Sequence, residues 1–195
     1  VSKAGSKLKA LSEPAVWGEY RLHINPRTDI AKALGGRIQR TFPGIRTDFS
    51  KTVEALEFCE LLDAITPLAS PSPEKYGLLR DALAELDGED HSPWLAAAYG
   101  LQLLDLAGLK IGPEALSGIA DDVCETLHSC PLKELGALAW SETVSRRLRA
   151  LTLGHIEAQA GRQLNTRLFA ESLSRAASVD SPAHLRAHAA ALMVR

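Results

Sequence analysis

Four groups of residues have types that could do chemistry. Glu54, Glu57 and Glu60 recur three apart. Such carboxylates hold paired metal ions in helix bundles when two helices each add a Glu-x-x-His pair. The sequence does not offer two such pairs, so the ladder is expected to be a solvated helix face. Cys124, His128 and Cys130 form the one local cluster of soft ligands. A structural zinc takes four ligands, and a catalytic zinc takes three with a supporting shell. Cys59 is far off in the chain, so no metal and no cofactor are expected. The nucleophile elbow Gly-x-Ser-x-Gly, the phosphate loop Gly-x-x-x-x-Gly-Lys-Ser/Thr and the dinucleotide fingerprint Gly-x-Gly-x-x-Gly are all missing, and the six histidines are dispersed. Nothing predicts an enzyme. The fourth group is Arg146, Arg147, Arg149, Arg162, Arg167 and Arg175, set against only Glu142, Glu157 and Glu171 in the same stretch. Guanidinium groups present a planar donor fork that suits phosphate, and a cluster of them attracts a nucleic-acid backbone without reading its sequence. Arg146, Arg147, Arg149, Arg162 and Arg167 are the candidate DNA contacts.

The element that must organise these groups is Ser92 to Gly108. Ser92 suits an N-cap, Pro93 the first turn, and Gly108 the left-handed residue after the last turn. Between them only Gln102 and Asp105 are strongly polar. A helix apolar nearly all round is buried on nearly all sides. The run is too short and too interrupted to span a membrane, which takes roughly 20 apolar residues. Around this hub the spacing predicts one long helix from Pro43 to Thr66 with an apolar stripe of Phe49, Val53, Leu56, Leu62 and Ile65. It predicts a helix from Ser72-Pro73 carrying Tyr76, Leu79, Leu83 and Leu86, and another over Pro113 to Leu127. A long amphipathic helix follows from Ser141-Glu142 to about Ala160, ended by Gly161. Asn165 or Thr166 caps a further helix with Leu168, Phe169 and Leu173, and Ser181-Pro182 opens an Ala- and His-rich tail. Before residue 43 the pattern is irregular. Leu8 to Leu11 reads as a last strand, Ser12-Glu13-Pro14 as the start of a short helical piece with Val16, Trp17 and Tyr20, Asn25 to Asp29 as a turn, and Gly35-Gly36 as a break.

The 195 residues suit one domain with a fragment of another. Alanine and leucine dominate, which favours helix over sheet. The expected fold is mainly α: an irregular bundle around a central buried helix over residues 43–195, with 1–42 as an N-terminal extension. The chain opens on Val1 with no charged-then-apolar leader, and its three cysteines make no disulfide framework. A cytoplasmic protein with reduced thiols and no membrane contact is expected. The net charge of −2 conceals a strong asymmetry: +6 over residues 1–51, −12 over 52–135 and +4 over 136–195. Basic ends around an acidic middle argue for an anionic partner.

Several segments in order resemble the RecO family of bacterial recombination mediators. They are Glu54-Ala55-Leu56-Glu57-Phe58-Cys59-Glu60-Leu61-Leu62-Asp63, Tyr76-Gly77-Leu78-Leu79-Arg80-Asp81-Ala82-Leu83, and Tyr99-Gly100-Leu101-Gln102-Leu103-Leu104-Asp105-Leu106-Ala107-Gly108-Leu109. Gly154 to Phe169, with Gly161-Arg162, Leu164, Thr166-Arg167 and Phe169, resembles the family's closing signature, Thr166 standing where it has Ser. The resemblance covers about residues 40–175. It implies a non-catalytic repair protein that binds single- and double-stranded DNA and anneals strands. It also implies partnership with RecR and with the acidic tail of the single-stranded DNA-binding protein (SSB), and help in loading the recombinase on SSB-coated DNA. Residues 1–42 would then be the tail of an OB-fold. The short link Leu109 to Pro113 stands where many members insert a four-cysteine zinc module. Ala97 and Ala98 stand where relatives have basic residues for the SSB tail, which leaves an apolar cleft near Trp94 and Tyr99 as the expected partner site. The alternative is a helical adaptor that touches protein and not nucleic acid.

Overall fold

The computed structural model describes residues 7–28, 31–68, 70–139 and 141–179. Among them the fold is mainly α, with eight α-helices, one 3₁₀ helix and a single two-stranded antiparallel sheet. The chain runs α1 (Lys7–Leu11), β1 (Val16–Ile24), β2 (Ala31–Thr41), α2 (Pro43–Thr47), α3 (Phe49–Ile65), α4 (Pro73–Leu86) and α5 (Leu95–Leu106). It continues through α6 (Asp121–Ser129), the 3₁₀ helix Leu132–Ala137, α7 (Glu142–Ala160) and α8 (Asn165–Val179).

α5 is the hub. Leu95, Ala97 to Leu101, Leu103 and Leu104 are all buried, and α3, α4, α6 and α7 pack round it. The Tyr99 ring packs against Phe58 of α3 at 4.5 Å, and its hydroxyl donates to the Phe58 carbonyl at 2.8 Å. The predicted cap is one turn loose: the helix starts at Leu95, and Ser92 holds the turn before it through its Oγ, which accepts from the Trp94 N–H at 3.3 Å. At the other end Gly108 has φ +71°, Gly108 N–H reaches Asp105 O at 3.0 Å, and Leu109 N–H reaches Leu104 O at 2.9 Å. That pair of bonds is a Schellman stop, which only a residue tolerant of left-handed backbone makes cheaply.

Five sequence expectations need correcting. Leu8 to Leu11 is not a strand but lies in α1, and the stretch holding Val16, Trp17 and Tyr20 is β1, not helix. Gly35-Gly36 does not break the chain but lies inside β2, where α1 packs its Leu11 against Gly18 and Gly36. The expected helix from Pro43 to Thr66 is two helices, because Asp48 leaves helical geometry and caps α3 by accepting from Ser50 and Lys51 N–H. The helix expected from Pro113 begins only at Asp121, since the chain turns through 113–118 and Gly118 has φ +80°. The Ser181-Pro182 tail lies outside the described residues.

The hairpin register pairs Trp17 with Arg40, Glu19 with Arg37, Arg21 with Gly35 and His23 with Lys32, with bulges between Trp17 and Gly18 and between Arg21 and Leu22. Alternation along β1 therefore gives two unlike faces. Gly18, Tyr20, Leu22 and Ile24 share one with Ile38, Gly36, Ala33 and Ala31. Trp17, Glu19, Arg21 and His23 share the other with Arg40, Arg37 and Lys32.

Candidate nucleic-acid interface

The five arginines chosen from the sequence do not stand together as open cations. Arg146 pairs with Glu142 one turn away on α7. Arg147 turns to the loop before α6, where its Nη2 donates to Ser117 O at 2.6 Å. Arg149 forks onto Glu57 of α3, Nε to Oε1 at 3.1 Å and Nη2 to Oε2 at 2.9 Å. Arg162 reaches Glu60 at 3.1 Å and Asp63 at 3.5 Å, and Arg167 reaches Glu157 at 2.7 Å and Glu171 at 3.3 Å.

Their partners correct a second expectation, that the acidic ladder is a wet face. Glu57 is 5% exposed. Glu60 accepts from the backbone N–H of Asn165 and Thr166, from the Thr166 hydroxyl and from Arg162, and so caps α8 from α3. Burial alone would raise the Glu60 carboxyl, but these donors outweigh it and hold it down at about 2. Burial raises Glu54, against the pull of Arg149. The ladder is therefore the seam that docks α7 and α8, and the solvent-facing residues of α3 include the apolar Phe49 and Leu56, with Phe49 63% exposed and edge-on to Phe169 of α8 at 6.3 Å.

The soft-ligand cluster does not converge either. His128 Nδ1 lies 2.6 Å from Asp105 Oδ2, tying α6 to α5, and among the described residues no three His, Cys, Asp or Glu side chains come together as a metal site. Trp94 and Tyr99, the expected partner-binding pair, are 2% and 0% exposed. Their rings fill the core and offer no surface.

What the arginine reasoning missed is on the hairpin. Among the described residues Lys9, Arg21, Arg27, Lys32 and Arg37 are exposed, and none has an ion pair or a side-chain hydrogen bond. Arg21, Arg37 and Lys32 share the face of β1 and β2 defined above, where the one carboxylate, Glu19, is held by Gln39. Arg40 at its inner end lies 3.7 Å from Asp87 and over the Phe42 ring. The signal in the sequence was the +6 charge of residues 1–51. Reading that stretch as helix and break hid its period of two. A ribbon with unpaired cations about 7 Å apart on one side is suited to holding consecutive phosphates.

Residues 46–112 match the family described as "Recombination protein O C terminal". The chain is 36% identical over 76 residues to a DNA repair protein RecO of Pelobacter propionicus, a stretch that covers 39% of this chain and 31% of that relative. No solved structure matches. The matched residues run from α2 across α3 and α4 to the stop of α5, so they are the hub and two of the four α-helices that pack round it. By that match and that relative, residues 46–112, which fold as helices α2 to α5, are similar to the C-terminal part of RecO proteins, and the chain spans about a third of the length of that relative.

Proposed function

We propose that this chain serves DNA repair and recombination as a non-catalytic mediator, and that it meets DNA phosphates with the basic face of the β1–β2 hairpin. The similarity of residues 46–112 to the RecO C-terminal family and to a DNA repair protein RecO supports the repair role. The observation that carries the contact surface is the set of unpaired side chains Arg21, Lys32 and Arg37 on one face opposed by a single carboxylate. The α7 and α8 arginines are a weaker choice, because each would have to leave an acceptor before meeting a phosphate. The wider activity follows the resemblance: binding of single and double strands, annealing, and recombinase loading on SSB-coated DNA together with RecR. In this reading residues 1–42 belong to an OB-fold. The opposite hairpin face, with Leu22, Ile24 and Ile38 exposed, is where further strands would pack.

Fluorescence anisotropy with a labelled single-stranded oligonucleotide tests the contact surface. The triple change Arg21→Ala, Lys32→Ala and Arg37→Ala should weaken binding by about tenfold or more at moderate salt. Arg146→Ala, which removes a surface pair, should change it little. Unaltered affinity in the triple variant with a loss in Arg146→Ala would return the site to α7.

A further inference from the structure

Between the inner end of β1 and helices α3 and α4 lies a cleft of about 340 Å³ that the phosphate-binding surface above does not use. Its wall is built by Trp17 and Tyr20 from β1 and by Tyr76, Leu79 and Arg80 from α4, with buried Phe42 at its base. Its size falls within the range of pockets that hold small ligands. Its rim ring has an open side: Tyr76 is 49% exposed, whereas the Tyr20 hydroxyl is tied back to Leu11 O at 2.6 Å. α4 was expected to bury Tyr76 in its apolar stripe, yet Ala82, Leu83 and Leu86 do that work and leave the phenol outside. The Arg80 guanidinium stands 5.9 Å from the centroid of the Trp17 ring and pairs with exposed Asp81 at 2.8 Å. A planar cation already lies over that aromatic face, and the pair holding it is of the weak, solvent-screened kind.

The cleft also continues the basic face. Alternation puts Trp17 on the same side of β1 as Arg21 and His23, and the register brings Arg37 and Lys32 alongside. A chain whose phosphates follow those cations arrives at the mouth of the cleft. Rings beside a basic strip are the combination that binds unpaired nucleotides, since every base has a face to stack and every linkage has a charge.

We propose that this cleft receives one unstacked base of a single-stranded nucleic acid, held between the rings of Trp17 and Tyr76, while the flanking phosphates lie on the cations of the hairpin. The proposal rests on the hairpin reading of the previous subsection. It adds selectivity: a base inside a duplex keeps its faces against its neighbours and cannot enter, so the cleft distinguishes single strands from double strands where the cations do not.

Cys59 also lines the cleft, is exposed and is free, which supplies a reporter. In a Cys124→Ala, Cys130→Ala background, Cys59 is labelled with a maleimide at alkaline pH, because the helices around its reachable thiol still desolvate the thiolate and push its pKa up. A saturating oligothymidylate should slow that labelling severalfold, and a duplex of equal length should not. Tyr76→Ala should weaken single-strand binding about tenfold with duplex binding kept, and Tyr76→Phe should restore it. Unchanged labelling and unchanged Tyr76→Ala affinity, with the Arg21, Lys32 and Arg37 variant still impaired, would overturn the cleft and leave the hairpin reading standing. Absence of any DNA binding by the unaltered chain would overturn both. Protection of Cys59 by an apolar peptide and not by the oligonucleotide would assign the cleft to a protein partner and overturn the proposal.

Discussion

Arg149 carries the charge a phosphate would want, yet Glu57 takes both arms of its guanidinium. The carboxylate is nearly water-free, so its cost of burial is met only while the fork is in place. Removing one partner of such a pair leaves an uncompensated charge, whereas removing both leaves a hydrophobic contact. Arg149→Ala should therefore lower stability by at most about 3 kcal/mol, at the low end of the range for buried pairs because the arginine itself is half in solvent. The double change Glu57→Leu with Arg149→Met should recover most of the loss. Urea unfolding of the three variants checks this, and an Arg149→Ala chain as stable as the parent would mean the fork contributes nothing. The same contact explains why the ladder misled the sequence reading. Glutamates three apart look like a wet face until the opposing helix, some 90 positions later in the chain, is seen to bring arginines to them.

Helix α8 shows what the seam does for a whole element. It packs on α3, most of its surface faces solvent, and its first turn is satisfied by Glu60 instead of by a cap of its own. The sign of the pH effect follows. The folded carboxyl, at about 2, lies below its ordinary range, so its bonds stabilise the fold above that range. That contribution is lost as pH falls from the ordinary range through about 2. Glu60→Gln should cost about 1 to 2 kcal/mol at neutral pH, the scale of a lost helix cap, and the gap to the parent should shrink as the pH approaches 3. Chemical unfolding followed across that range reads it, and a gap that stays constant would show that the charge of Glu60 is not what docks α8. Elements differed in how plainly the sequence announced them. α5 and α7 were legible because an apolar run or a 3.6-residue stripe ends on a glycine, Gly108 or Gly161, that adopts positive φ. β1 and β2 were not, because two bulges interrupt the alternation and the Gly35-Gly36 pair resembles a break when Leu11 of α1 cannot be seen to pack on Gly36. Tyr76 looked like core for a related reason: spacing finds the apolar side of α4 but not which of its residues a neighbouring hairpin leaves at the rim.

On the scale of the whole molecule, charge is segregated by use. Arginines of the basic C-terminal third meet carboxylates of the acidic middle at the α3–α7–α8 seam, whereas among the described N-terminal cations Arg40 lies near Asp87 and Arg46 pairs with Glu13 but Lys9, Arg21, Arg27, Lys32 and Arg37 make no ion pair. The arginine-rich stretch that drew attention in the sequence is therefore mostly internal glue, while the net −2 of the chain conceals an outward-facing positive ribbon. Segregation of this kind makes a quantitative claim about association, because each cation that neutralises a phosphate of a single strand releases about 0.7 of a counterion. If Arg21, Arg27, Lys32 and Arg37 each meet one phosphate, the logarithm of the binding constant should fall against the logarithm of salt with a slope of about −3. Each alanine at those four positions should make the slope shallower by about 0.7, and Arg162→Ala or Arg167→Ala should leave it alone. Tyr76→Ala should lower the affinity at every salt concentration without altering the slope, since stacking displaces no ions. Anisotropy titrations over a salt series separate these effects, and a slope that responds to the α7–α8 arginines but not to the hairpin would place the phosphate path across the helices instead.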